Sequence, residues 1–106
     1  MCRIYAGTDP RHYEPVTRSV RLHGAVTSIR LEARFWAILD AMAAEEGTTT
    51  PRFIATLHDE VLEETGEVRN FASLLRVACV TYLARASVHP DSGRPGETSR
   101  AAPAQP

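Results

Sequence analysis

The chain has 106 residues, which suits one domain, because folded domains usually span about 100–150 residues. Hydrophobic residues make up 43% and charged residues 24% of the chain, a balance typical of a soluble globular protein and not of a fibrous or disordered one. No apolar run reaches the roughly 18–20 residues that a membrane-spanning helix needs, and the opening residues lack the apolar stretch of a secretory signal. We therefore expect a cytoplasmic protein.

The formal net charge of −1 conceals an uneven distribution. Residues 1–34 hold six arginines and three acids, residues 35–67 hold one arginine and eight acids, and residues 68–106 hold five arginines and two acids. All twelve basic residues are arginine, whose planar guanidinium can bind phosphate or guanine through two parallel hydrogen bonds. The basic ends are compatible with nucleic-acid binding. The choice of arginine over lysine is equally typical of a GC-rich genome.

The two ends of the chain lack regular apolar spacing. Residues 1–17 contain one isolated apolar pair among turn-forming glycine, aspartate and proline, which predicts an irregular N-terminal arm. Residues 87–106 are rich in proline, glycine, serine and alanine, a composition that predicts a disordered tail. The domain itself should occupy residues 18–86.

Alternating apolar and polar residues then predict a strand at 26–31 and are compatible with a second strand at 18–23. Gly24 interrupts the two segments. In the strand at 26–31, one face would carry Thr27, Ile29 and Leu31 toward the core. The opposite face would carry Val26, Ser28 and Arg30 toward solvent.

Helical spacing begins after Glu32 and predicts three helices. The first has an apolar stripe and ends at Gly47, which suits the position after a helix. For the second, Thr50 is the predicted N-cap and Pro51 the first helical residue, with an end near residues 65–66.

The third helix is predicted to begin near Asn70 and is apolar on nearly its whole circumference. A helix of this kind must be buried on several sides, which a single small chain can hardly arrange. We therefore expect a homodimer. Within this helix, Cys79 should act as a small hydrophobe, and neither it nor Cys2 is expected to form a disulfide.

Three segments in this order resemble the ribbon-helix-helix family, in particular an extended bacterial subgroup. They are RSVRLHGAVTSIRLEARFWAIL, TTPRFIATLHDEV and NFASLLRVACVTYL, and the likeness covers roughly residues 1–86. The resemblance implies a mainly α-helical dimer with a short β-ribbon, or a longer hairpin, and an added C-terminal helix. It also implies that paired strands of two chains enter the major groove of duplex DNA to regulate or repress transcription.

The resemblance and the strand pattern together predict which residues contact DNA. Side chains on the outward face of the strand would contact base edges, namely Val26, Ser28 and Arg30. Residues beside the strand and at the start of the second helix would contact phosphates, namely Arg18, Arg21, Thr49, Thr50 and Arg52. If the strand at 18–23 enters the groove instead, the base contacts change accordingly.

A second interpretation is a protein-interaction module, antitoxin-like or an adaptor, that binds a partner protein through the third helix and the acidic middle. Trp36 is expected in the core or a dimer contact, with partner binding as the alternative. The histidines (His12, His23, His58 and His89) and the two cysteines show no metal-ligand spacing, so no metal site is expected. The sequence also has no nucleophile motif and no glycine-rich phosphate loop, so neither a cofactor nor enzymatic activity is expected.

Overall fold

The computed structural model of the protein describes residues 2–88. The predicted disordered tail lies almost entirely outside this range. A short 3-10 turn at Pro10–His12 precedes the hairpin, and the described chain is otherwise built from two strands and four α-helices. These are α1 (Cys2–Ala6), β1 (Pro15–Leu22), β2 (Ala25–Glu32), α2 (Ala33–Glu45), α3 (Thr50–Thr65) and α4 (Phe71–Val88). The predicted helical majority is confirmed. None of the helices between residues 2 and 88 is both long and apolar enough to cross a membrane.

The N-terminal arm is more regular than its sequence predicts. Besides α1, it contains the 3-10 turn, which Asp9 caps by accepting a hydrogen bond from the backbone N–H of Arg11 at 2.9 Å. Pro10 favours this turn because its ring already holds the backbone in a helical conformation. The prediction of an irregular arm was wrong here because residues 3–6 and 10–12 stay exposed and therefore show no apolar periodicity.

The two strands form one antiparallel hairpin within the chain. At the end away from the turn, β1 begins three residues before its predicted start and β2 ends one residue after its predicted end. His23 and Gly24 make the two-residue turn with φ of 52° and 80°, as a type I′ turn requires. The turn fixes the register, in which Leu22 pairs with Ala25 and Pro15 with Glu32. The second strand at 18–23, which the sequence left open, corresponds to residues 18–22 of β1, and His23 lies in the turn.

The inner face of the hairpin covers the core. It buries Val20 and Leu22 from β1 and Ile29 and Leu31 from β2 against the helices. The predicted inward direction of Ile29 and Leu31 is confirmed, and Thr27 on the same face is half-buried. Burial of these branched side chains, at about 1.5–3 kcal/mol each, holds the hairpin in one orientation on the helices.

The helix ends follow the turn chemistry of the sequence, with one correction. Gly47 has φ of 71° and its N–H bonds the carbonyl of Ala44 at 3.0 Å, so the predicted end of α2 is confirmed. The N-cap of α3 is Thr49 and not Thr50, because the Thr49 hydroxyl accepts from the backbone N–H of Arg52. Pro51 therefore follows the first helical residue, where its missing N–H still costs nothing.

The last helix, α4, closes the core. Leu75 and Cys79 are fully buried, and burial raises the pKa of the Cys79 thiol to about 11, consistent with a small hydrophobe. Other apolar side chains of α4 remain exposed on the single chain, namely Val77, Val80 and Leu83.

Candidate nucleic-acid interface

The outer face of the hairpin is mainly polar and basic. Because side chains alternate across a strand, every second residue of each strand reaches this face. We use the name outer face for the six exposed residues that lie between the Pro15–Glu32 pair and the turn, namely Thr17, Ser19, Arg21, Val26, Ser28 and Arg30. The predicted outward direction of Val26, Ser28 and Arg30 is confirmed.

Cross-strand pairing gives the outer face a defined order. Thr17 lies opposite Arg30, and Ser19 lies opposite Ser28. At the turn end of the hairpin, Arg21 lies opposite Val26 and donates from Nη1 to the Gly24 carbonyl at 3.0 Å. Thr17 and Ser19 were not among the DNA contacts predicted from the sequence. They lie four and two residues before Arg21 on the same strand, so alternation along β1 places them on the same face as Arg21.

Within residues 2–88 the sheet has only two strands, so the hairpin has two free strand edges. Hydrogen-bonded and non-hydrogen-bonded pairs alternate along an antiparallel ladder, and the bond from Ala33 N to Glu14 O at 2.8 Å belongs to the bonded set. By this alternation, Ser19 and Ser28 form a non-hydrogen-bonded pair. Their N–H and C=O groups point to the free edges of β1 and β2 respectively.

Arg18 lies on the opposite side of the hairpin from Arg21. Its Nη1 bonds Asp40 Oδ1 at 3.0 Å, and its guanidinium carbon lies 4.5 Å from the ring centroid of Trp36. The hydrogen bond from Arg18 holds the pKa of the Asp40 carboxyl below its usual range. The structure therefore gives Arg18 an internal partner and leaves the guanidinium of Arg21 on the outer face.

Trp36 anchors the hairpin to α2. The indole is 2% exposed, and its Nε1 donates to the Val16 carbonyl at 2.8 Å. Trp36 is therefore a core residue of the single chain, in line with the packing role expected from the sequence. The hydrogen bond to Val16 also holds the indole ring in the position where Arg18 stacks on it.

The start of α3 carries the other predicted phosphate-binding residues. Thr49 and Arg52 are exposed, whereas Thr50 is half-buried and donates from Oγ1 to Asp40 Oδ1 at 2.6 Å. The Asp40 carboxylate thus places a negative charge beside this helix start, where the helix dipole favours an anion.

The fold brings together three residues that the sequence did not connect. His23 at the hairpin turn meets His58 and Asp59 of α3, with His23 Nε2 lying 2.9 Å from Asp59 Oδ1. We call these residues the histidine cluster. Histidines on distant elements produce no ligand spacing in the sequence, so only the register of the hairpin on α3 reveals the cluster.

Comparison with known proteins agrees with this architecture. The profile of the family described as "Ribbon-helix-helix domain" matches residues 15–83. The structure is similar to that of an uncharacterized protein from Bordetella pertussis Tohama I, with a TM-score of 0.77 and 41% sequence identity over 89% of this chain and 72% of that chain. No curated protein sequence matches the chain. The chain therefore belongs to the ribbon-helix-helix family, whose members are usually DNA-binding regulators without enzymatic activity.

Proposed function

We propose that the protein binds duplex DNA as a homodimer, inserts the outer face of its hairpin into the major groove and regulates transcription, most simply as a repressor. The observation that carries the proposal is the outer face itself. It presents two arginines, hydroxyl groups and a valine on a rigid sheet. These groups are suited to guanine, to several base edges and to the thymine methyl respectively.

The free edge of β2 is the surface that supports pairing with a second chain. Pro15 lacks the N–H that a paired strand contributes, and proline within a sheet is typical of an outermost strand. β1 is then the outer strand, and the N–H and C=O groups of Ser28 on β2 are left to pair with the same residues of the partner. Two chains would form a four-stranded antiparallel ribbon.

The width of such a ribbon suits the groove. Four strands spaced about 4.8 Å apart span roughly 14 Å, slightly more than the ~12 Å width of the major groove. The two central strands would therefore reach the groove floor, while the outer strands lie along its walls. In this arrangement Val26, Ser28 and Arg30 of both chains contact bases, and Arg21 contacts phosphates.

The remaining predicted contacts depend on Asp40. Arg18 can bind a phosphate only when its ion pair with Asp40 opens, so we assign it a secondary role. Thr49, Thr50 and Arg52 lie where a helix start can clamp a phosphate, but the Asp40 carboxylate and the missing N–H of Pro51 weaken this contact. The guanidinium of Arg52 would supply most of the attraction.

A specific observation also supports the second candidate function. Val77, Val80 and Leu83 form an exposed apolar surface on α4, with Val77 62% and Val80 58% exposed. A partner protein could cover this surface, as could the second chain of the dimer. The choice between the two functions is therefore experimental.

The experiment that tests the proposal is a titration of fluorescent duplex DNA from the region upstream of the protein's own gene. We expect the protein to bind this duplex and the double variant Arg21→Ala/Arg30→Ala to lose binding. Arg85→Ala, which removes an exposed arginine of α4, is the matched control and should bind normally. Failure of the unmodified protein to bind any duplex, together with isolation of a stoichiometric protein partner, would favour the interaction module.

A further inference from the structure

The histidine cluster lies at the turn end of the hairpin, where the turn meets α3. One imidazole nitrogen of His23, one of His58 and a carboxylate oxygen of Asp59 all lie within 4.8 Å of one another. These three residues come from two elements that only the tertiary fold brings together. The cluster borders an open cavity of about 490 Å³, which both histidines line.

One ring nitrogen of His58 is buried without a hydrogen-bond partner among residues 2–88. This nitrogen is Nδ1, and the ring packs edge-on against Phe71 at 4.9 Å between centroids. A buried polar atom without a partner is destabilising, so native proteins usually give such an atom a ligand, a water or an ion. Apolar packing alone does not explain a histidine at this position.

The distances fit a metal ion with little movement. Ligand atoms that bind one tetrahedral ion at about 2.1 Å lie roughly 3.4 Å apart. The most widely separated atoms of the histidine cluster would therefore close by about 1.4 Å at most, and His23 Nε2 and Asp59 Oδ1, 2.9 Å apart, would open by about 0.5 Å. His23 and Asp59 are exposed and can make this adjustment by rotating their side chains.

We propose that His23, His58 and Asp59 bind a divalent transition-metal ion of the zinc, cobalt and nickel class. Two imidazoles and one carboxylate suit these ions, whereas magnesium and calcium prefer oxygen ligands alone. Three protein ligands leave a fourth position open for water. The ion would tie the turn of the hairpin to α3 and add positive charge beside Arg30, which lines the same cavity.

The alternative is that the histidine cluster is only a surface ion pair between His23 and Asp59. On this alternative, the exposed pair contributes little to stability and binds no metal. The two explanations differ in a direct binding measurement. The test does not depend on DNA binding, so its result is independent of the proposed function.

The experiment is a calorimetric titration of the full-length protein with zinc chloride, repeated with three variants. His23→Asn removes one ligand with a residue that tolerates the positive φ of the turn. His58→Leu keeps apolar bulk against Phe71, and Asp59→Asn keeps the size of the side chain. His12→Asn, at an exposed histidine in the N-terminal arm, is the matched control.

We expect one zinc ion per chain and at least about tenfold weaker binding in each cluster variant, since loss of groups that merely orient a ligand already costs ~10–100-fold. The control should bind like the unmodified protein. In addition, zinc should shift the imidazole NMR signals of His23 and His58 but not those of His12. Absence of zinc binding, or unchanged affinity and stoichiometry in the folded cluster variants, would overturn the proposal.

Discussion

The carboxylate of Asp40 and the guanidinium of Arg18 form an ion pair that links the first strand to the first long helix, with Nη1 3.0 Å from Oδ1. Asp40 also accepts a hydrogen bond from the Thr50 hydroxyl, so one carboxylate joins β1, α2 and α3. The guanidinium of Arg18 therefore binds within the chain, whereas that of Arg21 lies on the outer face.

Asp40→Asn should lower the free energy of unfolding at neutral pH by about 1 kcal/mol, because the pair is nearly half exposed and water screens it. The pKa of Asp40 is lowered in the folded state, mainly by Arg18. Its contribution is therefore fully present above the ordinary value of 3.8 and is lost as the pH falls through the lowered folded value.

Chemical denaturation at several pH values checks this prediction. The stability difference between the unmodified protein and Asp40→Asn should be constant near neutral pH and disappear in acid. Glu60→Gln, an exposed acid of α3, serves as the control and should change stability little. A difference that persists undiminished at low pH would show that Asp40 acts through packing and not through its charge.

Trp36→Phe should destabilise the protein by about 2 kcal/mol. The change removes the hydrogen bond to the Val16 carbonyl, part of the buried ring and the surface on which Arg18 stacks. Tyr13→Phe, at an exposed aromatic residue, should change stability by less than about 0.5 kcal/mol. The measurement is equilibrium unfolding in urea, and equal effects of the two changes would contradict the anchoring role of Trp36.

Pairing through β2 predicts different effects of proline at two opposed serines. Ser28→Pro removes an N–H at the free edge of β2, whereas Ser19→Pro removes one at the free edge of β1. Both changes disturb the hairpin similarly, because Ser19 and Ser28 are cross-strand partners on the outer face. Light scattering should show that only Ser28→Pro weakens the dimer.

The unmodified protein should also melt at a higher temperature as its concentration rises, since a dimer is stabilised by mass action. Loss of dimer in Ser19→Pro with normal dimer in Ser28→Pro would assign the interface to β1. A monomer at all concentrations, with a constant melting temperature, would refute dimerisation altogether.

Helices and strands whose buried side chains recur at regular spacing can be predicted from the sequence. The direction of Ile29 and Leu31, the end of α2 at Gly47 and the burial of Cys79 all follow from local spacing and turn chemistry. β1 was harder to predict because Arg18 occupies an inward position that usually holds an apolar residue. Its inward position depends on contacts with Trp36 and Asp40, which no local pattern reveals.

Some of the candidate DNA contacts could likewise be predicted from local patterns, and others could not. Alternation along β2 gives the outward direction of Val26, Ser28 and Arg30, so the central part of the outer face was predictable. By contrast, the partners of Arg18 and Thr50 and the histidine cluster depend on how the hairpin lies against α2 and α3. Tertiary packing sets those distances, and residues far apart in the chain carry no spacing signal for them.

Recognition of DNA through the outer face is tested most directly by comparing Arg30→Ala with Arg21→Ala on specific and scrambled duplexes at several salt concentrations. Arg30→Ala should cost about 1–3 kcal/mol per lost contact on the specific duplex and relax discrimination at one base pair in each half-site. Arg21→Ala should weaken binding equally on both duplexes and reduce the slope of log affinity against log salt by roughly 0.9 per lost phosphate contact. If Arg30→Ala leaves the ratio of specific to scrambled binding intact while Arg21→Ala abolishes it, β1 reads the bases and the assignment to β2 is contradicted.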